Sequence, residues 1–236
     1  MQKNRGKNTD DDLLFGSEKQ TGKLKMAVQD MHYLLSRGYA ERASSELTGN
    51  RYRLKARQIQ AVRAASASEI QIRNRADKAL QISALQDATV HLDGFNIIIL
   101  LESLLSGAYI FRGADGCLRD LSGVHGTYRK VNQTLKSIEL VAAFFQKSGA
   151  RKLIWIFDKP VSNSGRIRQM VLDFSFENHL NWETELEFNP DRFLAEHAEI
   201  AVSSDGWILD HCRNWFNLAG YLMEEEKLPV NLVKMV

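Results

Sequence analysis

Cysteine and long apolar runs are both scarce in this chain of 236 residues. The two cysteines, Cys117 and Cys212, are far apart and match neither a disulfide framework nor the spacing of zinc ligands. No apolar segment approaches the ~20 residues that a helix needs to cross a bilayer. The polar N-terminus lacks the apolar core of a signal peptide. We therefore expect a protein of the reducing cytoplasm with no membrane partner.

Composition and charge point to two modules. Hydrophobic residues at 44% and charged residues at 25% are ordinary for a globular protein, and the length allows one or two domains. Residues 1–85 carry 16 Lys and Arg against 9 Asp and Glu, whereas residues 86–236 carry 15 against 20. A basic first module suits a polyanion and an acidic second module can gather carboxylates, although ordinary solvated surface would explain the same balance.

The first module is predicted to be helical. Residues 1–20 have almost no apolar content, so we expect a disordered tail there. A small basic helical domain follows over 21–85, with helices at 23–37, at "AERASSEL" and at 51–65. A Ser-Gln capping box at "SEIQ" opens a linker helix that runs to about Leu80.

These helices have the outline of a helix-turn-helix, which often binds nucleic acid. The third helix has a basic face that would contact a polyanion or simply face solvent. Its basic residues are Arg51, Arg53, Lys55, Arg57 and Arg63.

The second module alternates short apolar runs with helical patterns, as α/β folds do. We predict a three-layer α/β/α domain over 86–236 with a mainly parallel central sheet. The predicted strands are 88–92, 152–157, 183–188, 199–204 and 214–218. The predicted helices are 96–106, 131–148, 164–179, 191–197, 206–213 and 219–226. The glycine-rich segment 108–129 fits no βα unit, and we expect a hairpin or long loop there.

Three aspartates stand where predicted strands end and helices begin. Asp93 follows "TVHL", Asp158 follows "KLIWIF" and Asp205 follows "EIAVSS". The C-terminal ends of parallel strands share one edge, where such folds bind ligands. Asp210 lies about one helical turn beyond Asp205 and can approach from the side. A set of carboxylates at this edge predicts catalysis at Asp93, Asp158, Asp205 and Asp210.

Close carboxylates repel unless a cation neutralises them, and an all-oxygen set favours Mg²⁺ or Mn²⁺ over zinc. We therefore predict Asp93, Asp158 and Asp205 as metal ligands. Such ions activate water and clamp phosphoryl oxygens in phosphodiester hydrolysis. The simpler alternative is that each aspartate only caps the following helix.

Other polar residues are candidates for supporting roles. Asn96, one turn beyond Asp93, would orient it or cap the helix. His125, Arg129 and Lys130 would hold a substrate phosphate, with a structural role as the alternative for His125. Arg166 ends "SNSGR", which would bind an anion at a helix start or form an ordinary turn.

Three further acids have alternative roles that depend on the fold. Glu102 interrupts the apolar run "IIILLESLL" as a site partner or as an exposed position. Asp115 and Asp120 join the site only if the segment 108–129 folds over the sheet edge.

Residues 87–225 resemble the PIN superfamily of metal-dependent ribonucleases, especially its NYN branch. "HLDGFNIII" is similar to that branch's opening motif, "IWIFDKPVSNSG" to its second acidic strand end, and "AVSSDGWILD" to its late motif. The resemblance implies site roles for Asp93, Asn96, Asp158, Ser204 and Asp205, and less directly for Asp210.

The family usually has an acid on a middle helix, for which Glu139 is the nearest equivalent, and the segment 108–129 has no counterpart. The whole chain also resembles a prokaryotic family in which a small helical domain of unknown function precedes a PIN-like domain. "RGYAERASSELTGNRYRL" and "DGFNIIILLESLLSGAYIFRGADGCLRD" support this second resemblance.

The sequence thus predicts a Mg²⁺- or Mn²⁺-dependent nuclease with RNA, rather than DNA, as its nucleic-acid partner. Arg129, Arg166, Asn96 and Ser204 are its predicted substrate-binding residues. The alternative is a non-catalytic nucleic-acid-binding or regulatory protein on a PIN-like scaffold, and a homo-oligomer is left open. No Asp-x-Asp nucleophile of a phosphatase is present. A receiver domain would need paired acids after its first strand and a lysine on its fifth.

Overall fold

The computed structural model of the protein describes residues 5–123, 126–225, 227–228 and 230–235. Five helices form the first third of the chain: α1 (Asp11–Phe15), α2 (Glu18–Ser36), α3 (Glu41–Arg51), α4 (Ala56–Ala65) and α5 (Glu69–Lys78). Ser68 and Gln71 form the predicted capping box at the start of α5. No helix in the described ranges is long and apolar enough to cross a membrane.

The predicted disordered tail is wrong for the part of it that the structure describes. Residues 5–20 include α1 and the first turn of α2. Arg5 is buried and pairs with the buried Glu102, and Phe15 is 2% exposed. Two specific contacts therefore hold a segment whose average composition resembles that of a tail.

The boundary between the second and third helices also differs from its prediction. The helix α3 continues through "TGN" to Arg51, and α4 begins only at Ala56. A Cβ atom on Gly49 would lie 2.9 Å from Cδ1 of Ile59. Gly49 therefore allows α3 and α4 to approach closely and does not end the helix.

The basic residues of this region are largely committed to internal pairs. Arg57 donates to Oδ1 of the buried Asp11 at 2.5 Å and to the carbonyl oxygen of Gly6 at 2.7 Å. Arg63 lies 2.7 Å from Glu41. Two arginines of α4 are therefore bound within the protein, and they are among the residues with which a helix-turn-helix would contact a polyanion.

The second module is an α/β structure. After a short 3₁₀ turn (Ile82–Leu85), its strands are β1 (Thr89–Asp93), β2 (Tyr109–Arg112), β3 (Leu118–Arg119), β4 (Lys152–Asp158), β5 (Trp182–Glu187), β6 (Ile200–Val202) and β7 (Asn231–Lys234). Its helices are α6 (Gly94–Leu105), α7 (Thr134–Ser148), α8 (Ser164–Glu177), α9 (Pro190–His197), α10 (Gly206–His211) and α11 (Leu218–Glu225). The main sheet is parallel, in the order β5-β4-β1-β6.

Successive side chains of β4 point to opposite faces of the sheet and pack against different helices. Trp155 and Phe157 pack into the large core that also contains residues of α6, α7, α8 and α11. Ile154 and Ile156 point to the other face, where they pack with residues of α9 and α10. The sheet therefore has helices on both faces, which confirms the predicted α/β class and its mainly parallel sheet.

A second, three-stranded sheet joins the two modules. The strands β2 and β3 form an antiparallel pair within the predicted segment 108–129, and β7 pairs in parallel with β2. Phe111 of β2 packs against Phe15, with ring centroids 4.9 Å apart. Val233 of β7 lies in the same buried cluster. The helical module therefore packs on the α/β module through a shared core.

The predicted fifth strand, 214–218, does not form. Trp215 makes only isolated bridges, to Ala79 and Ala201, and Leu218 already begins α11. The indole nitrogen of Trp215 donates to the carbonyl oxygen of Arg75 at 2.7 Å. The aromatic run therefore anchors α5 and does not extend the sheet.

Candidate functional site

Four aspartates occupy the C-terminal edge of the main sheet. Asp93 ends β1 and Asp158 ends β4 on the adjacent strand. Asp205 is the N-cap of α10, three residues after β6. Asp191, in the first turn of α9, reaches the same edge after β5. The structure thus places Asp93, Asp158 and Asp205 along one sheet edge, with Asp191 as a fourth acid.

Burial raises the pKa of Asp93, Asp158 and Asp191, and neighbouring carboxylate charges add to the shift of Asp93 and Asp191. Burial raises the pKa of Asp93 to about 8, against a hydrogen bond from Ser203 that lowers it, and the charges of Asp191, Asp205 and Asp158 raise it further. Burial followed by the charges of Asp205 and Asp158 raises the pKa of Asp191 to about 6. Burial also raises the pKa of Asp158. The four groups therefore share one electrostatic environment.

Close packing places Asp93 at the start of α6. A Cβ atom on the following residue, Gly94, would lie 2.4 Å from Cε1 of Phe157 and 2.9 Å from the carbonyl oxygen of Ile156. Only glycine lets α6 begin this close to β4. The Asp-Gly pair of the sequence motif therefore has a packing cause.

Hydrogen bonds tie the loop after β6 to β1 and α6. Ser203 donates its hydroxyl to Oδ2 of Asp93 at 2.7 Å. The backbone N–H and the hydroxyl of Ser204 donate to Oδ1 of Asn96 at 3.0 and 2.9 Å. Asp205 accepts from the N–H groups of Trp207 and Ile208 through Oδ1 alone. Asn96 and Ser204 therefore position the site loop, and Asp205 does cap α10.

Asp210 belongs to a different cluster from the one predicted. Arg75 of α5 donates to both its carboxylate oxygens, at 2.6 and 2.9 Å, and also to Asp115 at 2.6 Å. Arg119 donates to Asp115 at 2.8 and 2.6 Å and to the carbonyl oxygen of Ser204 at 2.9 Å. Asp210 thus joins the two modules by an ion pair, and the segment 108–129 does fold over the sheet edge.

Within this buried network, Asp115 and Arg119 favour each other's ionised form. Burial would raise the pKa of Asp115, yet hydrogen bonds and charges from Arg119 and Arg75 lower it to about 2. The pKa of Arg119 is raised by the same partner, Asp115, despite burial. These groups stay ionised at neutral pH and fix the carbonyl of Ser204 next to the acids.

A groove of about 620 Å³ lies between the helical module and this edge. Asn96, Ser204 and Asp205 line one side, and residues of α4 and α5 line the other. The half-buried Asp120, which accepts from Ser103 and from the backbone of Ser122, also lines the groove. Through Asp205, the groove reaches the β6 end of the acidic edge.

A second recess of about 420 Å³ contains the predicted phosphate-binding residues. Arg129, Lys130 and Arg166 line it together with the apolar side chains of Ile167 and Met170. It lies at the start of α8, on the β4 side of Asp93, whereas the groove lies on the β6 side. The structure therefore brings Arg129 and Arg166 together, and His125 lies outside the described residues.

Two further acids have structural roles. Glu102 is fully buried and accepts from Tyr128 at 2.6 Å, from Thr134 and from Arg5. It is therefore not an exposed position. Glu139 lies on the outer side of α7, 3.1 Å from Lys136.

The donor set of the acidic edge suits a hard divalent cation, since it consists of carboxylate oxygens. In the ranges that the structure describes, however, no three His, Cys, Asp or Glu side chains are grouped so that they could hold a metal ion. A bound ion would therefore require the aspartates to draw closer together.

Comparison with known proteins follows the same division of the chain. A family model described as "Domain of unknown function (DUF5616)" matches residues 82–221, more than half of the chain. The chain belongs to this family. A second model, described as "Protein of unknown function (DUF434)", matches residues 23–78, which span α2 to α5.

The DUF5616 chain is also similar to the uncharacterized protein MJ0935 of Methanocaldococcus jannaschii. The two are 27% identical over 192 residues, which cover 79% of this chain and 88% of the relative. No solved structure matches.

Sequence reasoning missed Asp191 and Arg119. Asp191 could have been predicted from the sequence, because it lies in "NPDRF", just after a predicted strand, as the other aspartates do. Arg119 had no comparable signal, since its role depends on contacts with Asp115 and with the carbonyl of the distant Ser204.

Proposed function

We propose that this DUF5616 protein is a Mg²⁺- or Mn²⁺-dependent nuclease that hydrolyses phosphodiester bonds in RNA. The observation that supports it best is the set of four aspartates at one sheet edge, among which Asp93 has a pKa of about 8. The order of the motifs, which resembles that of PIN and NYN ribonucleases, supports the same proposal.

In this proposal Asp93, Asp158 and Asp205 are the metal ligands. Each supplies carboxylate oxygens, which hard divalent ions prefer. Binding is favoured because a cation would remove the mutual repulsion of the three carboxylates. A bound divalent ion would lower the pKa of a water molecule and stabilise charge on the phosphoryl oxygens. Asp205 retains Oδ2 for such a role, because its cap bonds use Oδ1.

The other residues would hold the substrate and a proton. Asp191, in the first turn of α9 at the same edge, would accept the proton of an attacking water. Ser203 fixes the orientation of Asp93. Arg129 and Arg166 would bind phosphates that flank the scissile one, since guanidinium groups match phosphate geometry.

The test is cleavage of a single-stranded RNA by the purified full chain with Mn²⁺ or Mg²⁺. We expect Asp93→Asn to abolish cleavage, and the matched control Asp77→Asn, on the exposed side of α5, to leave it unchanged. Cleavage that persists in Asp93→Asn, or that needs no divalent ion, would contradict the proposal.

A second candidate is a non-catalytic nucleic-acid-binding or regulatory protein. It is favoured by the lack of a three-residue metal cluster in the described ranges. A chain that binds RNA but neither binds Mn²⁺ nor cleaves would establish this candidate instead.

A further inference from the structure

Two exposed aromatic side chains stand at opposite ends of the row of aspartates. Trp207, in the first turn of α10, follows β6 and is 47% exposed. Phe188 follows the last residue of β5 and is 73% exposed. Because β5 and β6 are the outer strands of the sheet, the acids on β1 and β4 lie between the two rings.

Each ring has a basic side chain on one face. The imidazole of His211 stacks on Trp207 with centroids 4.2 Å apart and planes inclined by 21°. The Nζ atom of Lys159 lies 4.5 Å from the centroid of Phe188. The stacked imidazole restrains Trp207, and the ammonium group of Lys159 places a positive charge beside Phe188. Much of each ring still faces solvent.

Both rings lie beside the acidic edge and are exposed, so neither is part of a buried core. Trp207 lines the groove next to Ser204 and Asp205. The backbone N–H of Lys159 donates to the carbonyl oxygen of Glu187 at 2.8 Å, which keeps Lys159 and Phe188 beside Asp158. The other three tryptophans, Trp155, Trp182 and Trp215, are buried.

We infer that Trp207 and Phe188 are stacking platforms for the bases of a single-stranded nucleic acid that crosses the sheet edge. This inference rests on the proposed function for what happens at the acids between the rings. Three strand intervals of about 4.8 Å separate the outer strands, so the platforms are on the order of 14 Å apart. A flexible single strand spans that distance with unpaired bases at both ends, whereas the bases of a duplex are unavailable for stacking.

The test measures affinity, by fluorescence anisotropy, for a labelled RNA of roughly ten nucleotides, a length within the usual site sizes. Ca²⁺ replaces Mg²⁺ as the hard divalent ion. Alanine at Trp207 or at Phe188 should each weaken binding about tenfold, as loss of one base-stacking contact does. The control is Phe176→Ala, because Phe176 is 84% exposed but lies at the far end of α8, by the opposite edge of the sheet.

A second readout uses the protein's own fluorescence. Because Trp207 is exposed and the other tryptophans are buried, the single strand should quench a component of emission that Trp207→Phe removes. Unchanged affinity in Trp207→Ala and Phe188→Ala, equal loss in Phe176→Ala, or equal affinity for the duplex would each overturn the inference. A chain that binds through the two rings but never cleaves would refute the nuclease and leave the platforms standing.

Discussion

Replacing Asp93 by asparagine should make the protein more stable at high pH. Asp93 is 6% exposed, and its carboxyl group has a pKa of about 8 against an ordinary value of 3.8. Between those values the folded state keeps a proton that the unfolded chain has lost. The free energy of unfolding of the metal-free protein therefore falls as the pH rises from about 4 to about 8.

The size of the effect follows from the pKa shift. A shift of about four units is worth a ceiling of roughly 5–6 kcal/mol, at 1.36 kcal/mol per unit. We expect about half of that, because water entry and proton uptake by neighbouring carboxyl groups relieve part of the penalty. Asparagine keeps an acceptor for the hydroxyl of Ser203, so the variant removes the charge and not the hydrogen bond.

The assay is urea unfolding at several pH values in the presence of a chelator. The difference between Asp93→Asn and the natural chain should be near zero at pH 4 and reach about 2–3 kcal/mol at pH 8. Asp77→Asn, the exposed control, should follow the natural chain throughout. An Asp93→Asn variant with the same pH dependence as the natural chain would refute the reasoning.

Three other changes test the packing of the modules by urea unfolding. Arg75→Met removes one cation from the buried ion-pair network and should lower the free energy of unfolding by about 3–5 kcal/mol. The control Arg73→Met, at an exposed pair, should lower it by less than ~0.5 kcal/mol. Equal losses would contradict the role assigned to Arg75. Arg5→Ala should cost about 3 kcal/mol, because it leaves Glu102 buried without its cation, and no loss would restore the idea of a disordered tail. Leu101→Ala in the centre of α6 should cost about 2–5 kcal/mol, and a smaller loss would mean that the core can collapse around the gap.

The fold and the acidic edge were predictable where the signals are local. Strand periodicity gave β1, β4 and β5 nearly to the residue, and the rule that acids follow strands found Asp93 and Asp158. The same rule extends to Asp191 once the helix cap at Asn189 is recognised.

What could not be predicted depends on distant partners. Arg75 pairs with Asp115 and Asp210, which are 40 and 135 residues away in the sequence. No local sequence pattern predicts these pairs. Arg5 lies in a polar segment and acquires its role only when Glu102 is buried. Trp215 looks like part of a strand, yet its indole bonds to α5.

The most direct test of the acidic edge is calorimetric titration of Mn²⁺ into the full chain. The natural chain and Asp77→Asn should give a saturable heat of binding, and the double variant Asp93→Asn/Asp205→Asn should not. Binding that is unchanged in the double variant, or absent from the natural chain even with a non-cleavable RNA analogue present, would contradict a metal site formed by these aspartates.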